Sequence, residues 1–448
     1  MQKKPIKNKI TKRTYIQITG KLASPLLAGS GEEDRSDMDI LRDYYGRPFL
    51  AGTAVAGACR QWLLANKVNE KAIDSLFGAR KKAGNQGDQK DEVRMDDFNQ
   101  SRIFVSDVQF IEPKTIIRDH VKLTENKTAD ETGKFNVEVI DTGASFVMRF
   151  EYIERESTEN QADQDLIDTL ISAIHRGKLT FGGKSNRGYG KLEINEVKRK
   201  QFHYTNKETV MEWLDWSWGK MSEEQPESLD SDIYNEAEEK FHVIIVPLKI
   251  KQTLLIRDYQ TMEEDLDYTY LRSNKKPVIP GTTWAGAFRH RLHQIVHELD
   301  GDGQIVEELF GCKHDKEQTN PSRLIFEESV IENAKKLTVT RNAIDRFSGE
   351  TIDGALFTGE TVCKGQTTLV ISWRKDSSID CKIIKGIMYW LIKDLTCGFL
   401  AIGGETAIGR GVFELQDEDA VSTINNEAYR KAAIACIRGG ECGAASKA

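Results

Sequence analysis

Residues 15–22, Tyr15-Ile16-Gln17-Ile18-Thr19-Gly20-Lys21-Leu22, alternate apolar and polar positions as a half-buried strand does, and Phe241-His242-Val243-Ile244-Ile245-Val246-Pro247-Leu248 predict a second opening strand. Each strand leads to a turn and an apolar helix, the helices starting at Gly52-Thr53 and Gly281-Thr282 and running to about Asn66 and Leu299. The glycines supply a flexible turn and the threonines an N-cap hydroxyl. Later, Leu166, Ile167, Leu170, Ile171 and Ile174 form one face of a second helix, and Ile383, Ile384, Ile387, Met388, Leu391 and Ile392 form its counterpart. Strands are expected over 102–110, 145–153 and 190–194, then over 323–326, 367–373 and 411–415. The order strand, helix, strands, helix, strand predicts an α+β chain of two tandem ferredoxin-like or RRM-like domains.

The two halves also repeat in detail. Gly52-Thr53-Ala54-Val55-Ala56-Gly57-Ala58-Cys59-Arg60 returns as Gly281-Thr282-Thr283-Trp284-Ala285-Gly286-Ala287-Phe288-Arg289, and Leu76-Phe77-Gly78 returns as Leu309-Phe310-Gly311. Phe135-Asn136-Val137-Glu138 with Gly143 matches Phe357-Thr358-Gly359-Glu360 with Gly365. Gly182-Gly183-Lys184-Ser185-Asn186-Arg187-Gly188-Tyr189-Gly190 matches Gly403-Gly404-Glu405-Thr406-Ala407-Ile408-Gly409-Arg410-Gly411. Four ordered matches at a domain-sized period indicate a duplicated domain, not a solenoid. The expected division is a basic arm at 1–13, domains at 14–198 and 241–416, a linker at 199–240 and a tail at 417–448. Residues 79–101 read as a mobile insertion.

Composition narrows the function classes. The 448 residues are 39% hydrophobic and 30% charged, and no apolar run approaches the roughly 18 residues of a membrane span. The N-terminus lacks the apolar core of a secretory signal, so a cytoplasmic protein is expected. A formal net charge of −7 argues against coating nucleic acid through bulk charge. It leaves room for a local basic groove, because residues 222–239 hold eight acids and no base. The seven cysteines form no CxxC pair and read as buried or free thiols. Cys312 and His314 lack the second ligand pair of a zinc knuckle. His290, His293 and His297 without an HExxH read as a surface cluster. Trp213, Trp216 and Trp218 read as core or interface aromatics.

The motifs point toward phosphate. A helix start such as Pro280-Gly281-Thr282-Thr283 presents N–H groups and a positive dipole end to an anion. Arg60 and Arg289 lie two turns along the same helix faces. Glycine loops let backbone approach a ligand closely, and the candidate contacts are Lys184, Arg187, Gly188 and Gly190 in the first loop and Gly409, Arg410 and Gly411 in the second. Arg187 aligns with Ile408, so the contact geometry is expected to differ between the halves.

In combination, Gly-Thr before a small residue and Gly-Ala-x-Arg, then Leu-Phe-Gly, then Gly-Gly-x-x-x-x-Gly-x-Gly, resemble the RAMP superfamily of CRISPR proteins. More closely, they resemble the repeating backbone subunit of type III effector complexes, here with two copies fused as in a type III-D-like complex. The resemblance covers about residues 14–197 and 241–416. It implies a guide CRISPR RNA bound along an RRM-like core, a complementary target RNA, other type III effector subunits as partners, and an inserted hairpin thumb in each domain. The thumbs are expected over 118–143 and 341–365, with Lys122, Lys127 and Lys134 favouring RNA phosphates in the first.

The resemblance further implies a catalytic aspartate in the loop before the first helix. Anchoring on Leu41-Arg42 gives Asp37, and on Leu271-Arg272 gives Asp267, with Asp34, Asp39, Asp43 and Asp265 as near alternatives. One aspartate per domain can orient or deprotonate a 2′-hydroxyl for attack on the adjacent phosphate, making the chain an endoribonuclease. Mg²⁺ is implied by the family, with no metal ligand assignable in the sequence. Two alternatives stand beside this reading: a non-catalytic guide-RNA scaffold in one or both halves, and a guide-precursor processing endonuclease.

Overall fold

The computed structural model describes residues 9–78, 100–124, 129–156, 160–204, 206–228, 241–258, 266–313, 319–375, 377–439 and 442. Most of the expected insertion, the basic arm through residue 8 and the later part of the acidic segment lie outside them, as do Lys127, Asp265 and His314. The fold class is the expected mixed α+β with antiparallel sheets.

In the first ferredoxin-like sheet, β1 (Ile10–Leu22) is followed by α1 (Gly52–Ala65), the short strands β2 (Ile103–Val105) and β3 (Val108–Ile111), and a hairpin of β4 (Thr115–Leu123) and β5 (Ala129–Ile140). The chain continues with β6 (Ser145–Arg155), α2 (Asn160–His175) and β7 (Leu192–His203). The sheet order is β3-β6-β1-β7, with β2 also paired to β6. Alternation along β1 puts Ile16 and Ile18 in the core, with Ile16 opposite Phe150 of β6 and Arg199 of β7. Ile167, Leu170, Ile171 and Ile174 of α2 are buried, as their spacing predicts.

The second sheet repeats this order. In chain order the second half gives β8 (Phe241–Ile250), α3 (Gly281–Glu298), β9 (Ile325–Phe326), a hairpin of β10 (Lys335–Ile344) and β11 (Thr351–Cys363) in a separate small sheet, then β12 (Gln366–Arg374), α4 (Cys381–Cys397) and β13 (Phe413–Leu415). The order of the main sheet is β9-β12-β8-β13. The six apolar residues expected on one face of α4 are all buried, and a terminal helix α5 (Glu427–Ile437) packs against α4 through Gly386 and Ala433. Among the described residues no helix is long and apolar enough to cross a membrane.

The compact units interleave along the chain. One comprises Met1–Ile116, Val139–Gly183 and Gly190–Glu238; the other comprises Ile117–Glu138, Lys184–Tyr189 and Glu239–Ala448. The second unit is therefore built from one long stretch and two short ones that precede it in sequence.

Two local expectations are corrected. The helices open at Ala51 and Pro280 with no side-chain cap, so Thr53 and Thr282 lie inside the first turn. The glycines serve close packing: a Cβ on Gly52 would overlap the Val105 carbonyl oxygen, and one on Gly281 the carbonyl oxygens of Phe326 and Arg187. The cysteines also differ from the free-thiol reading, since Cys436 and Cys442 form a disulfide after α5. Trp213, Trp216 and Trp218 pack with Tyr15 and Phe202 of the first sheet, and the Trp213 indole donates to the Tyr15 hydroxyl at 2.7 Å.

Both glycine loops are pinned by the same three backbone bonds. Gly183 N–H donates to Leu27 O, Gly190 N–H to Pro25 O and Phe181 N–H to Gly190 O; Gly404, Gly411 and Ile402 repeat these to Leu255, Thr253 and Gly411. Gly190 has φ +78°, and a Cβ there would overlap the Phe181 carbonyl oxygen. Gly190→Ala is accordingly expected to cost about 3 kcal/mol or more, combining positive-φ strain with a backbone clash. Chemical denaturation would measure it, and a loss below about 1 kcal/mol would contradict this account of the loop.

Candidate nucleic-acid interface

The first glycine loop contributes Lys184–Tyr189 to the second unit. Lys184 is left-handed at φ 57°, followed by a short 3-10 turn over Ser185–Arg187 and by Gly188 at φ 83°. The Arg187 carbonyl seats on Gly281 at the start of α3, and Gly188 packs on Phe326, Glu327 and Glu328. The helix start expected to greet a phosphate is thus covered by the loop, while the loop itself carries the cations. Gly52 differs again: its N–H donates to the Asp107 carboxylate at 2.8 Å, so a protein acid occupies the N-terminus of α1.

Around that loop the second unit gathers several charges. Arg187 donates from Nη2 to the Phe310 carbonyl at 3.2 Å, while its buried Nη1 has no protein partner. Burial and then the neighbouring Arg289 push its pKa down to about 10. The Lys184 ammonium lies 4.6 Å from the Phe135 ring centroid, is likewise buried without a hydrogen-bond partner, and is pushed down to about 8 by desolvation. His120 stacks on the same ring at 5.1 Å, and burial, Lys184 and Arg118 press its pKa to about 3, leaving it neutral at pH 7. Below them Arg118 and Glu328 form a buried ion pair. Burial opposes the Arg118 charge, but Glu328 more than compensates and raises its pKa.

The second loop has the same backbone and the opposite charge at its first turn. Glu405, at φ 56°, stands where Lys184 does, and Gly409 at φ 87° where Gly188 does. The Glu405 carboxylate meets Arg257 Nη2 at 3.1 Å, Arg341 Nη2 at 2.7 Å and Arg410 Nε at 2.9 Å, and accepts from the Tyr268 hydroxyl at 3.2 Å. Burial works against its charge, yet Arg410 and Arg341 hold the carboxyl below the usual range. Arg410 is only 6% exposed, and its Nη1 has no partner.

The other predicted residues are dispersed. Arg60 pairs with Asp74 and donates to the Gly78 carbonyl at 3.1 Å, which ties α1 to the short helix Glu70–Phe77. Arg289 is exposed on α3. Lys134 is exposed on β5, and the Lys122 side chain lies outside the described residues. The buried Gly190 and Gly411 close the bases of their loops, as the carbonyl contacts above require.

The two loop aspartates have unlike surroundings. Asp37 is exposed, next to a buried Asp39 whose carboxylate accepts the Asp34 and Arg35 N–H groups at 2.9 Å and the Ser36 hydroxyl at 2.6 Å. These bonds hold the Asp39 pKa down against burial, so Asp39 organises the loop that carries Asp37. Asp267 is also exposed, but its Oδ2 accepts the Thr358 N–H at 2.7 Å while its own N–H donates to Thr358 O at 2.9 Å, fastening the loop to β11. Among the described residues no three His, Cys, Asp or Glu side chains converge on a metal position.

A family model for the RAMP superfamily matches residues 19–193 and 253–414. The chain belongs to the RAMP superfamily. Two matched regions make it a tandem RAMP protein, and membership implies RNA binding within a multi-subunit CRISPR-associated complex. No curated protein matches this RAMP chain.

Sequence reasoning missed Glu328, His120, Tyr268 and Arg257 in these clusters. The exchange of Lys184 for Glu405 was visible in the aligned loops, but its partners were not, because they come from distant strands.

Proposed function

We propose that this RAMP protein is a backbone subunit of a type III CRISPR ribonucleoprotein, type III-D-like, that holds guide RNA in the cytoplasm and cleaves complementary target RNA. The observation that carries the RNA-binding part is the pair of cations in the first glycine loop. Lys184 Nζ and Arg187 Nη1 are buried, charge-bearing and without hydrogen-bond acceptors, an arrangement that stabilises an incoming phosphodiester. The second hairpin supports a role at a guide–target duplex. It exposes Ile344, Phe347, Ile352, Leu356 and Phe357, apolar side chains suited to wedging between bases.

In the cleavage step, an aspartate carboxylate takes the proton of the 2′-hydroxyl as its oxygen attacks the adjacent phosphorus. The bond from phosphorus to the 5′-oxygen breaks, giving a 2′,3′-cyclic phosphate and a 5′-hydroxyl once that oxygen is protonated. Asp37 and Asp267 are assigned this role. A flipped target nucleotide would supply the in-line geometry. A Mg²⁺ requirement remains part of the proposal, and chelation in the cleavage assay reads it.

Removing both cations by Lys184→Ala and Arg187→Ala is expected to weaken RNA binding about tenfold or more and to reduce the salt slope by about 1.4. Fluorescence anisotropy at several salt concentrations would measure both quantities, with thermal unfolding as a control for the fold. Unchanged affinity in a folded double variant would remove the loop from the interface. A scaffold role for the second half has its own support in the Asp267–Thr358 bonds, which give that carboxylate a structural duty.

A further inference from the structure

The second glycine loop places one carboxylate where three arginines meet. Three guanidinium groups, those of Arg257, Arg341 and Arg410, converge on the single carboxylate of Glu405. Arg410 is more than nine-tenths buried, and its Nη1 finds no acceptor. The outer side of the loop is open: Ile408 is 59% exposed, and a Cβ on Gly409 would meet nothing nearer than Gln252 at 3.8 Å. In the first loop the corresponding backbone carries Lys184, whose ammonium has no hydrogen-bond acceptor.

We propose that Glu405 is an internal anion occupying an RNA phosphate seat, so that the second loop engages RNA only when a phosphate displaces or joins this carboxylate at the three arginines. The proposal rests on the RNA-binding reading above. Three converging guanidiniums, one of them buried, would repel one another without an anion, and a built-in carboxylate keeps the arginines gathered in the free chain. A phosphodiester offers the same paired oxygens that Glu405 now presents, so the three guanidinium contacts transfer to it without rebuilding the site. The duplicated halves would then bind unequally, the first loop open to phosphate and the second restrained by its own acid.

The test measures RNA affinity and its salt dependence for the full chain carrying Glu405→Gln, with single-stranded RNA of guide length as probe. The expected gain is about fivefold at low salt, the scale of one partly exposed charge. The salt slope should steepen by about 0.7, the increment for one more phosphate contact on a single strand. Glu405→Lys places in the second loop the residue that the first loop already carries on the same backbone, and it should bind more tightly still; thermal unfolding verifies that each variant folds. Glu427→Gln removes an equal charge on α5, where Glu427 pairs with Lys431 at 2.8 Å, and should leave RNA binding unchanged. Unchanged or weaker binding by folded Glu405 variants, beside normal wild-type binding, overturns the proposal alone. An equal gain in Glu427→Gln overturns it too, because bulk charge would explain the effect. A wild-type chain that fails to bind RNA brings down the underlying RNA-binding reading instead.

Discussion

Asp37→Ala, in the assembled guide-containing complex, is expected to abolish one cut on a bound target RNA, slowing cleavage there by about 100-fold or more while guide binding persists. The carboxylate is exposed, and the loop around it is held by Asp39, so its removal takes away chemistry and leaves the loop's main fastening in place. Asp267 needs a different substitution. Alanine there would also release the Thr358 N–H, confounding chemistry with a loosened hairpin. Asp267→Asn keeps an oxygen acceptor for that N–H and removes the base, so loss of the second cut in this variant reads catalysis. Mapping the 5′-hydroxyl ends on one target separates the outcomes. Persistence of every cut in both Asp37→Ala and Asp267→Asn would refute the assignment, whereas loss of only the Asp37 cut would make the second half a scaffold.

The other large effect concerns stability. Arg118→Ala and Glu328→Ala are each expected to destabilise the second unit by about 3–5 kcal/mol, because either leaves one charge buried without its partner. The double variant should cost less than the sum of the two, since it removes both charges together. Replacing the pair with methionine and leucine should recover much of the loss. Denaturant unfolding followed by intrinsic fluorescence would measure these differences. Single-variant losses below about 1 kcal/mol would show that water reaches the pair, contrary to side-chain exposures of 2% and 8%.

Much of the architecture was legible from local pattern. Period-two alternation located β1 and β8, and helical spacing selected the buried faces of α2 and α4, because both signals are set by which side of an element meets the core. Element ends were less visible. β7 extends through His203, beyond the expected 190–194, because its polar residues still pair with β1 when one face is solvated. The Gly-Thr turns were recognisable as helix starts, but the reason for glycine was not, since it lies in carbonyl oxygens contributed from distant sequence.

The candidate interface was legible in kind and less so in detail. Glycine loops with nearby cations suggested phosphate, and those loops do bring Lys184, Arg187 and Arg410 into confined positions. Their partners depend on tertiary pairing that no local window encodes: Glu328 for Arg118, Glu405 for Arg341, Asp74 for Arg60. The loop-fastening roles of Asp39 and Asp267 likewise emerge only from their hydrogen bonds.

The interleaved second unit separates inheritance from construction. The repeated motifs begin again at Gly281, 229 residues after Gly52, but a gene fragment beginning at residue 241 would omit Ile117–Glu138 and Lys184–Tyr189. It would leave Glu328 without Arg118 and strip the cover from Gly281. During synthesis, those two earlier segments must await the emergence of the strands they complete. Duplication thus copied a message whose product cannot be divided at the repeat boundary, and any coding piece that contains the whole second unit must reach back to Ile117, inside the first repeat.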